Sequence, residues 1–120
     1  MAVQRLHVQK RFSEIAISGN LVHLAGQLAS DTSLDIKGQT QQTLDYIDQF
    51  LADAGTDKSH ILSVMIFIKD IANNYDAMNE VWDAWVADIH ALPRTCVEAN
   101  MYQPDVLVEM TVVAVKPDTL

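Results

Sequence analysis

The sequence predicts one α+β domain, a mixed β-sheet with two helices packed on one face, in the order β-β-α-β-α-β-β. Three observations lead there. Phe12–Ser18 and Leu107–Val115 alternate their side chains with the period of a half-buried strand. Leu44, Ile47, Phe50 and Leu51, and then Tyr75, Met78, Trp82, Trp85 and Ile89, recur at helical spacing. His60–Ile68, between those two stripes, is short, apolar and β-branched, as a central strand covered on both faces would be.

Taken in order, the strand Phe12–Ser18 runs into Gly19-Asn20, a tight turn whose glycine tolerates positive φ. Leu21–Leu24 returns as the second strand of a hairpin, and Gly26 ends it where a side chain would obstruct packing or a ligand. A polar connection, Ala29–Lys37, leads to the helix Gly38–Ala54, with Gly55 as its C-cap. Lys69-Asp70 closes the strand His60–Ile68, Asn73 or Asn74 caps the second helix, and Pro93 stops it. Thr95–Met101 and Leu107–Val115 then read as two strands joined by a turn at Gln103-Pro104-Asp105. No repeat or linker divides residues 1–120, so the whole span is expected to be one domain.

Composition narrows the function. Sixteen acidic against 8 basic side chains give a formal charge of -8, which argues against nucleic acid as the main partner. Arg5, Lys10 and Arg11 form the only basic cluster. Cys96 is the single cysteine, so there is no intrachain disulfide, which fits a reducing compartment. No apolar run approaches the ~20 residues of a membrane span, and the N-terminus lacks a signal-peptide core. A cytoplasmic location is the expectation. Two helices cover one side of a sheet whose central strand is apolar on both, so self-association through the bare face is expected. One small core also favours a site shared between subunits over a deep private pocket.

Chemistry concentrates between Leu92 and Glu109. Arg94 follows Pro93, so its side chain starts from a stiff, defined place, and its planar fork fits a carboxylate. The competing reading is a salt bridge to Glu98, Glu109 or a helix carboxylate. Glu109 stands in an otherwise hydrophobic strand, where a carboxylate is costly unless paired or wet, and where a raised pKa would suit proton transfer. It reads equally as a partner of Arg94, and Glu98 competes for the same role. Cys96 has no histidine in a Cys-His motif and reads as a buried, inert thiol lining a pocket. His7, His23, His60 and His90 are scattered without metal spacing, so no metal is expected. Gly19, Gly26, Gly38 and Gly55 lie too far apart for a nucleotide loop, and no cofactor is implied. Trp82 and Trp85 read as core.

The segments GNLVHLAGQ, VMIFIKD, MNEVWDAW and PRTCVEA, followed by VLVEMTVVAV, resemble the RidA family, also called YjgF or L-PSP proteins. The likeness spans about Phe12 to Val115 and is nearest to the YoaB-like members, which share the tryptophan-bearing helix. The resemblance implies a chorismate-mutase-like fold, a homotrimer with clefts between subunits, and hydrolysis of 2-aminoacrylate-type enamines and imines to 2-keto acids and ammonia. It implies Arg94 for the substrate carboxylate, Glu109 for orienting water, Cys96 as a pocket residue contacting ligand through its backbone, Asn79 at the cleft and Gly26 on the opposite wall. Phe12 falls at a substrate-contacting position where deaminating members carry tyrosine, and Ala25 where many carry serine, so two hydroxyls are absent. A non-catalytic binder of small carboxylates is the alternative. Endoribonuclease or translation-inhibiting activity, attached to some family members, is another.

Overall fold

Strand alternation sorts this chain onto the two faces of one sheet, and the computed structural model describes residues 2–117 of it. Met1 and 118–120, the ends of the expected domain span, lie outside the described residues. The elements are β1 (Val3–Val8), β2 (Ser13–Ser18), β3 (Leu21–Gln27), α1 (Ile36–Asp53), β4 (Ile61–Ile68), α2 (Ile71–Trp85), β5 (Arg94–Glu98) and β6 (Val108–Val115). A short 3-10 turn, Lys58–His60, precedes β4. The six strands lie in the order β1-β2-β3-β6-β4-β5, antiparallel throughout except for the parallel pair β4 and β5.

The α+β plan with both helices on one face is as the sequence predicts, with corrections in its details. β1 is an additional strand ahead of the expected first hairpin. Its sequence VQRLHV carries little alternation because it is an edge strand, exposed except at half-buried Leu6. The two last strands are not neighbours: β6 inserts between β3 and β4, while β5 pairs with β4 on the other side. A parallel pair needs a crossover, and α2 supplies it. β4 is covered on one face only, with Val64, Ile66 and Ile68 buried and Leu62 and Met65 exposed.

The helices begin and end on readable chemistry. Asp35 caps α1 by accepting from Gly38 N at 2.9 Å, so the helix begins at Ile36, two residues ahead of the expected start. Its C-terminus closes as the sequence suggests. Gly55, at φ +86°, and Thr56 donate to the carbonyls of Ala52 and Leu51, the paired bonds of a Schellman turn. α2 starts at Ile71, earlier than Asn73 or Asn74, because Asp70 takes a left-handed conformation at φ 49° and turns the chain. Asn73 and Asn74 instead bond back to the Asp70 carboxylate and the Lys69 carbonyl. The helix stops at Trp85, short of Pro93.

The core lies between the helices and the inner sheet face. Leu44, Ile47, Phe50 and Leu51 of α1 and Met78, Trp82 and Trp85 of α2 meet Ile15, Val22, Leu24, Ile66, Met110 and Val112. Burying each of the larger aliphatic side chains stabilises the fold by about 1.5–3 kcal/mol. Trp85 Nε1 donates to both carboxylate oxygens of Asp48, tying α2 to α1. Lys58 donates to Trp85 O at 2.6 Å and pairs with Asp88 at 3.0 Å, fixing the end of α2. None of the described helices is long and apolar enough to cross a membrane.

The Schellman turn gives a direct check on this reading. Gly55→Ala should lower stability by about 1–2 kcal/mol, because an L side chain strains at that φ. Urea unfolding at fixed protein concentration measures it. An unchanged midpoint would mean the turn relaxes without cost.

Candidate functional site

Arg94 opens β5, and the carbonyl of Pro93 just before it accepts from Val64 N at 3.0 Å, so the strand starts from a fixed point. Arg94 and Cys96 stand in register with Val64 and Ile66, whose side chains are buried beneath the helices. The guanidinium accordingly turns toward α2. It lies 5.1 Å from the ring centre of Trp82 and 5.9 Å from that of Tyr75. Nη2 donates to Asn79 Oδ1 at 2.8 Å and to Tyr75 Oη at 3.3 Å. Tyr75, Asn79 and Trp82 recur at i, i+4 and i+7 along α2, so one helix face builds the cradle.

No carboxylate answers this charge among the described residues. Arg94 forms no salt bridge there, and its Nη1 is buried without a hydrogen-bond partner. The salt-bridge reading therefore does not hold among the described residues. Glu98 is engaged elsewhere, accepting from the first amide of α2, Ile71 N, at 3.0 Å. Cys96 is half-buried. Burial pushes its thiol pKa up, against a smaller lowering by the Arg94 charge. A thiol so held is protonated at neutral pH and makes a poor nucleophile.

Glu109 belongs to a second constellation. Alternation along β6 buries Val108, Met110 and Val112 under the helices and sends Glu109 to the other face, where it stands opposite Phe67 of β4. Its carboxylate packs on Gly26, where an added Cβ would collide with Oε2. The pairing of β3 with β6 shifts register between Leu24 and Gln27, at the point where Gly26 makes this approach. Glu109 has no hydrogen-bond or ion-pair partner among the described residues, and burial pushes its pKa above the usual carboxylate range. It lines a cleft of about 390 Å³ with Phe67, Asn100 and Tyr102. Tyr102 also lines a neighbouring cleft of about 430 Å³, whose wall includes Gly26.

The predicted site residues thus fall into separate groups. Arg94, Asn79 and Cys96 share the helix side of the sheet near the β5 edge, whereas Glu109 and Gly26 share the open side. A single chain does not bring Arg94 and Glu109 together. Phe12 is exposed just before β2 and lines neither cleft at Glu109. Tyr75 and Trp82 read from sequence as core stripe, yet both touch Arg94, and their helical spacing to Asn79 was the available signal. Among the described residues no three His, Cys, Asp or Glu side chains gather as metal ligands would.

Comparison with known proteins places this geometry among relatives. The family model described as Endoribonuclease L-PSP matches residues 2–116. A RutC family protein of Haemophilus ducreyi is 42% identical over 112 residues, 93% of this chain and 95% of that protein. The RutC family protein YoaB of Escherichia coli is 37% identical over 95% of this chain and 98% of its own length. The crystal structure of a YjgF-family member from Neisseria meningitidis superposes with a TM-score of 0.93 at 36% identity, covering 99% of this chain and 98% of that one.

The unpartnered Glu109 has a measurable consequence. Its folded-state pKa lies above the unfolded value, so its contribution is favourable at low pH and is lost as pH rises through the folded pKa. Glu109→Gln should therefore raise the urea midpoint at pH 7, and the gain should close as pH falls through the carboxylate range. A variant less stable than the parent at pH 7 would show that Glu109 holds a stabilising partner in solution.

Proposed function

From membership of the RidA/YjgF (L-PSP) family, to which this chain belongs, we propose that it hydrolyses small imine and enamine carboxylates to 2-keto acids and ammonia. The observation that carries the proposal is Arg94: a guanidinium cradled by Asn79, Tyr75 and Trp82, with Nη1 buried and unpaired. A buried donor left empty costs roughly 1–3 kcal/mol, and a substrate carboxylate satisfies it with a charge-assisted bond.

Chemistry then needs a water and a group to take its proton. Glu109 is suited to both, because its carboxylate has no partner among the described residues and burial raises its pKa, the direction that favours taking up a proton from water. The two groups lie on opposite faces of one sheet, so the working site is composite. In the homotrimer proposed here, one subunit supplies Arg94, Asn79 and Cys96, and its neighbour supplies Glu109 and Gly26. The exposed apolar residues Leu62, Met65 and Val97 on the open face are the surface such an assembly would cover.

The reaction balances simply. The enamine of 2-aminoacrylate takes a proton at carbon and gives one up from nitrogen, which yields the imine. Water adds to the imine carbon, one of its protons passing through Glu109 to the nitrogen, and the hydroxyl of the adduct then gives up the second, so that the nitrogen leaves as ammonia. The carbonyl of the 2-keto acid remains. Arg94 holds the carboxylate and withdraws electron density from the adjacent carbon, while the composite cleft supplies proximity. Cys96 stays protonated and forms no covalent intermediate. An RNA-cleaving role, suggested by the family model's description, draws no support from a chain of net charge -8.

Ammonia and keto-acid release from 2-aminoacrylate generated in situ tests the reading. Arg94→Ala should lower kcat/KM by about 10- to 100-fold, the worth of a lost hydrogen bond to a charged group. Glu109→Gln should abolish turnover while keeping carboxylate binding. Binding without any turnover in the parent protein would instead make it a carboxylate carrier.

The composite site makes a sharper demand. Arg94→Ala and Glu109→Gln chains, the first impaired and the second inactive alone, should regain about a quarter of wild-type activity when refolded together in equal amounts, because intact interfaces then form at random. No recovery from mixed, assembled oligomers would place both groups in one subunit's site.

A further inference from the structure

The Arg94 fork is tied down at one nitrogen only. Asn79 Oδ1 and Tyr75 Oη both accept from Nη2, so these bonds leave the second nitrogen free to swing. The plane of the fork is set by the Trp82 ring, whose centre lies 5.1 Å from the guanidinium carbon. The buried Trp82 indole makes no hydrogen bond among the described residues, so packing alone fixes its orientation.

One of the rings it packs on is clamped from outside the helix. The Trp85 ring centre lies 5.4 Å from that of Trp82, at an interplanar angle of 53°. Trp85 Nε1 donates to Asp48 Oδ1 at 3.2 Å and to Oδ2 at 3.1 Å. Lys58 Nζ stands 5.4 Å from the centre of the same ring and donates to the Trp85 carbonyl at 2.6 Å. Three contacts from outside α2 therefore hold one side chain.

A buried indole needs an acceptor, and a neutral one would satisfy it. Here the acceptor is a carboxylate. Burial pushes its pKa above the ordinary value, against a lowering by the Trp85 bond and the Lys58 charge. In return the bond is charge-assisted and shared between both oxygens, which fixes the ring as well as its N–H.

We infer that Asp48, on α1, is a positioning residue for the carboxylate clamp: it locks Trp85, Trp85 braces Trp82, and Trp82 holds the Arg94 guanidinium in its binding plane. The inference rests on the proposed role of Arg94 and adds a residue outside the site that maintains it. Asp48 makes no ion pair with Arg94, so its effect passes through the two rings. Its loss acts on binding, chiefly as a higher KM. Partial unfolding would do the reverse, lowering apparent kcat at constant KM.

The test combines kinetics on 2-aminoacrylate generated in situ with calorimetric titration of pyruvate, the product keto acid, on the assembled protein. Asp48→Ala should raise KM and the pyruvate Kd about fivefold, a hydrogen bond's worth, with kcat held. Trp85→Phe keeps a ring, loses the donor and should match it, so the test survives a failure of Asp48→Ala to fold. Asp48→Asn retains a neutral acceptor and should restore most of the affinity. In an Arg94→Ala background Asp48→Ala should cost nothing further, because the two act in series. An unchanged KM and Kd in the folded variants, or the same fivefold loss without Arg94, would overturn the positioning role. A parent that binds pyruvate but clears no 2-aminoacrylate would overturn the hydrolase reading alone, and Kd would still decide the role of Asp48. A folded parent that does neither would overturn both.

Discussion

Every structural decision in this chain answers to the two-residue period of its strands and to a helical layer on one side only. β6 shows the rule most plainly, with Val108, Met110, Val112 and Ala114 buried and Glu109, Thr111, Val113 and Val115 turned the other way. A carboxylate at position 109 lands on the uncovered face for the same reason that Met110 lands in the core. One residue of slippage would exchange the two, which is why register and function are the same constraint here. The parallel pairing of β4 with β5 applies the rule again and sends Arg94 and Cys96 beneath α2. The separation of the two charged groups is thus a property of the sheet.

Each group is held in an unfavourable state by its own chain. Trp82 and Tyr75 face the Arg94 guanidinium and remove water from it, and Asn79 fixes one nitrogen while the other stays empty. Glu109 loses water to Gly26 and the bulged strand beneath it, with nothing returned in hydrogen bonds among the described residues. A direct ion pair would relieve both, at the cost of a site with no charge left for substrate. Opposite faces prevent that collapse within the chain.

Much of the plan was legible in the sequence because it depends on periodicity. The α1 stripe at Leu44, Ile47, Phe50 and Leu51 is buried as its spacing demands, and the glycine signal at Gly55 marks a true Schellman turn. β1 was not legible, since an edge strand with solvent on most of its side chains needs no alternation. The order of strands was not legible either. Nothing local distinguishes a β5 that pairs with β6 from one that pairs with β4, because that choice is made by the crossover through α2. At the site, Arg94 and Glu109 stood out as charges in apolar company, but their face assignments required the register. Tyr75 was hidden because an exposed aromatic at core spacing looks the same in sequence as a buried one.

The two empty groups are complementary, and that complementarity links assembly to chemistry. A desolvated cation without an anion and a desolvated carboxylate without a donor are each destabilising in isolation. A substrate that carries a carboxylate at one end and a nitrogen that leaves as ammonia at the other satisfies both at once, provided that the two half-sites come from different copies. Ligand binding would then strengthen the interface that creates the site, by the same free energy with which the interface strengthens ligand binding. On the proposed reading, two charges left unpaired on rigid elements are what a neighbour and a substrate complete.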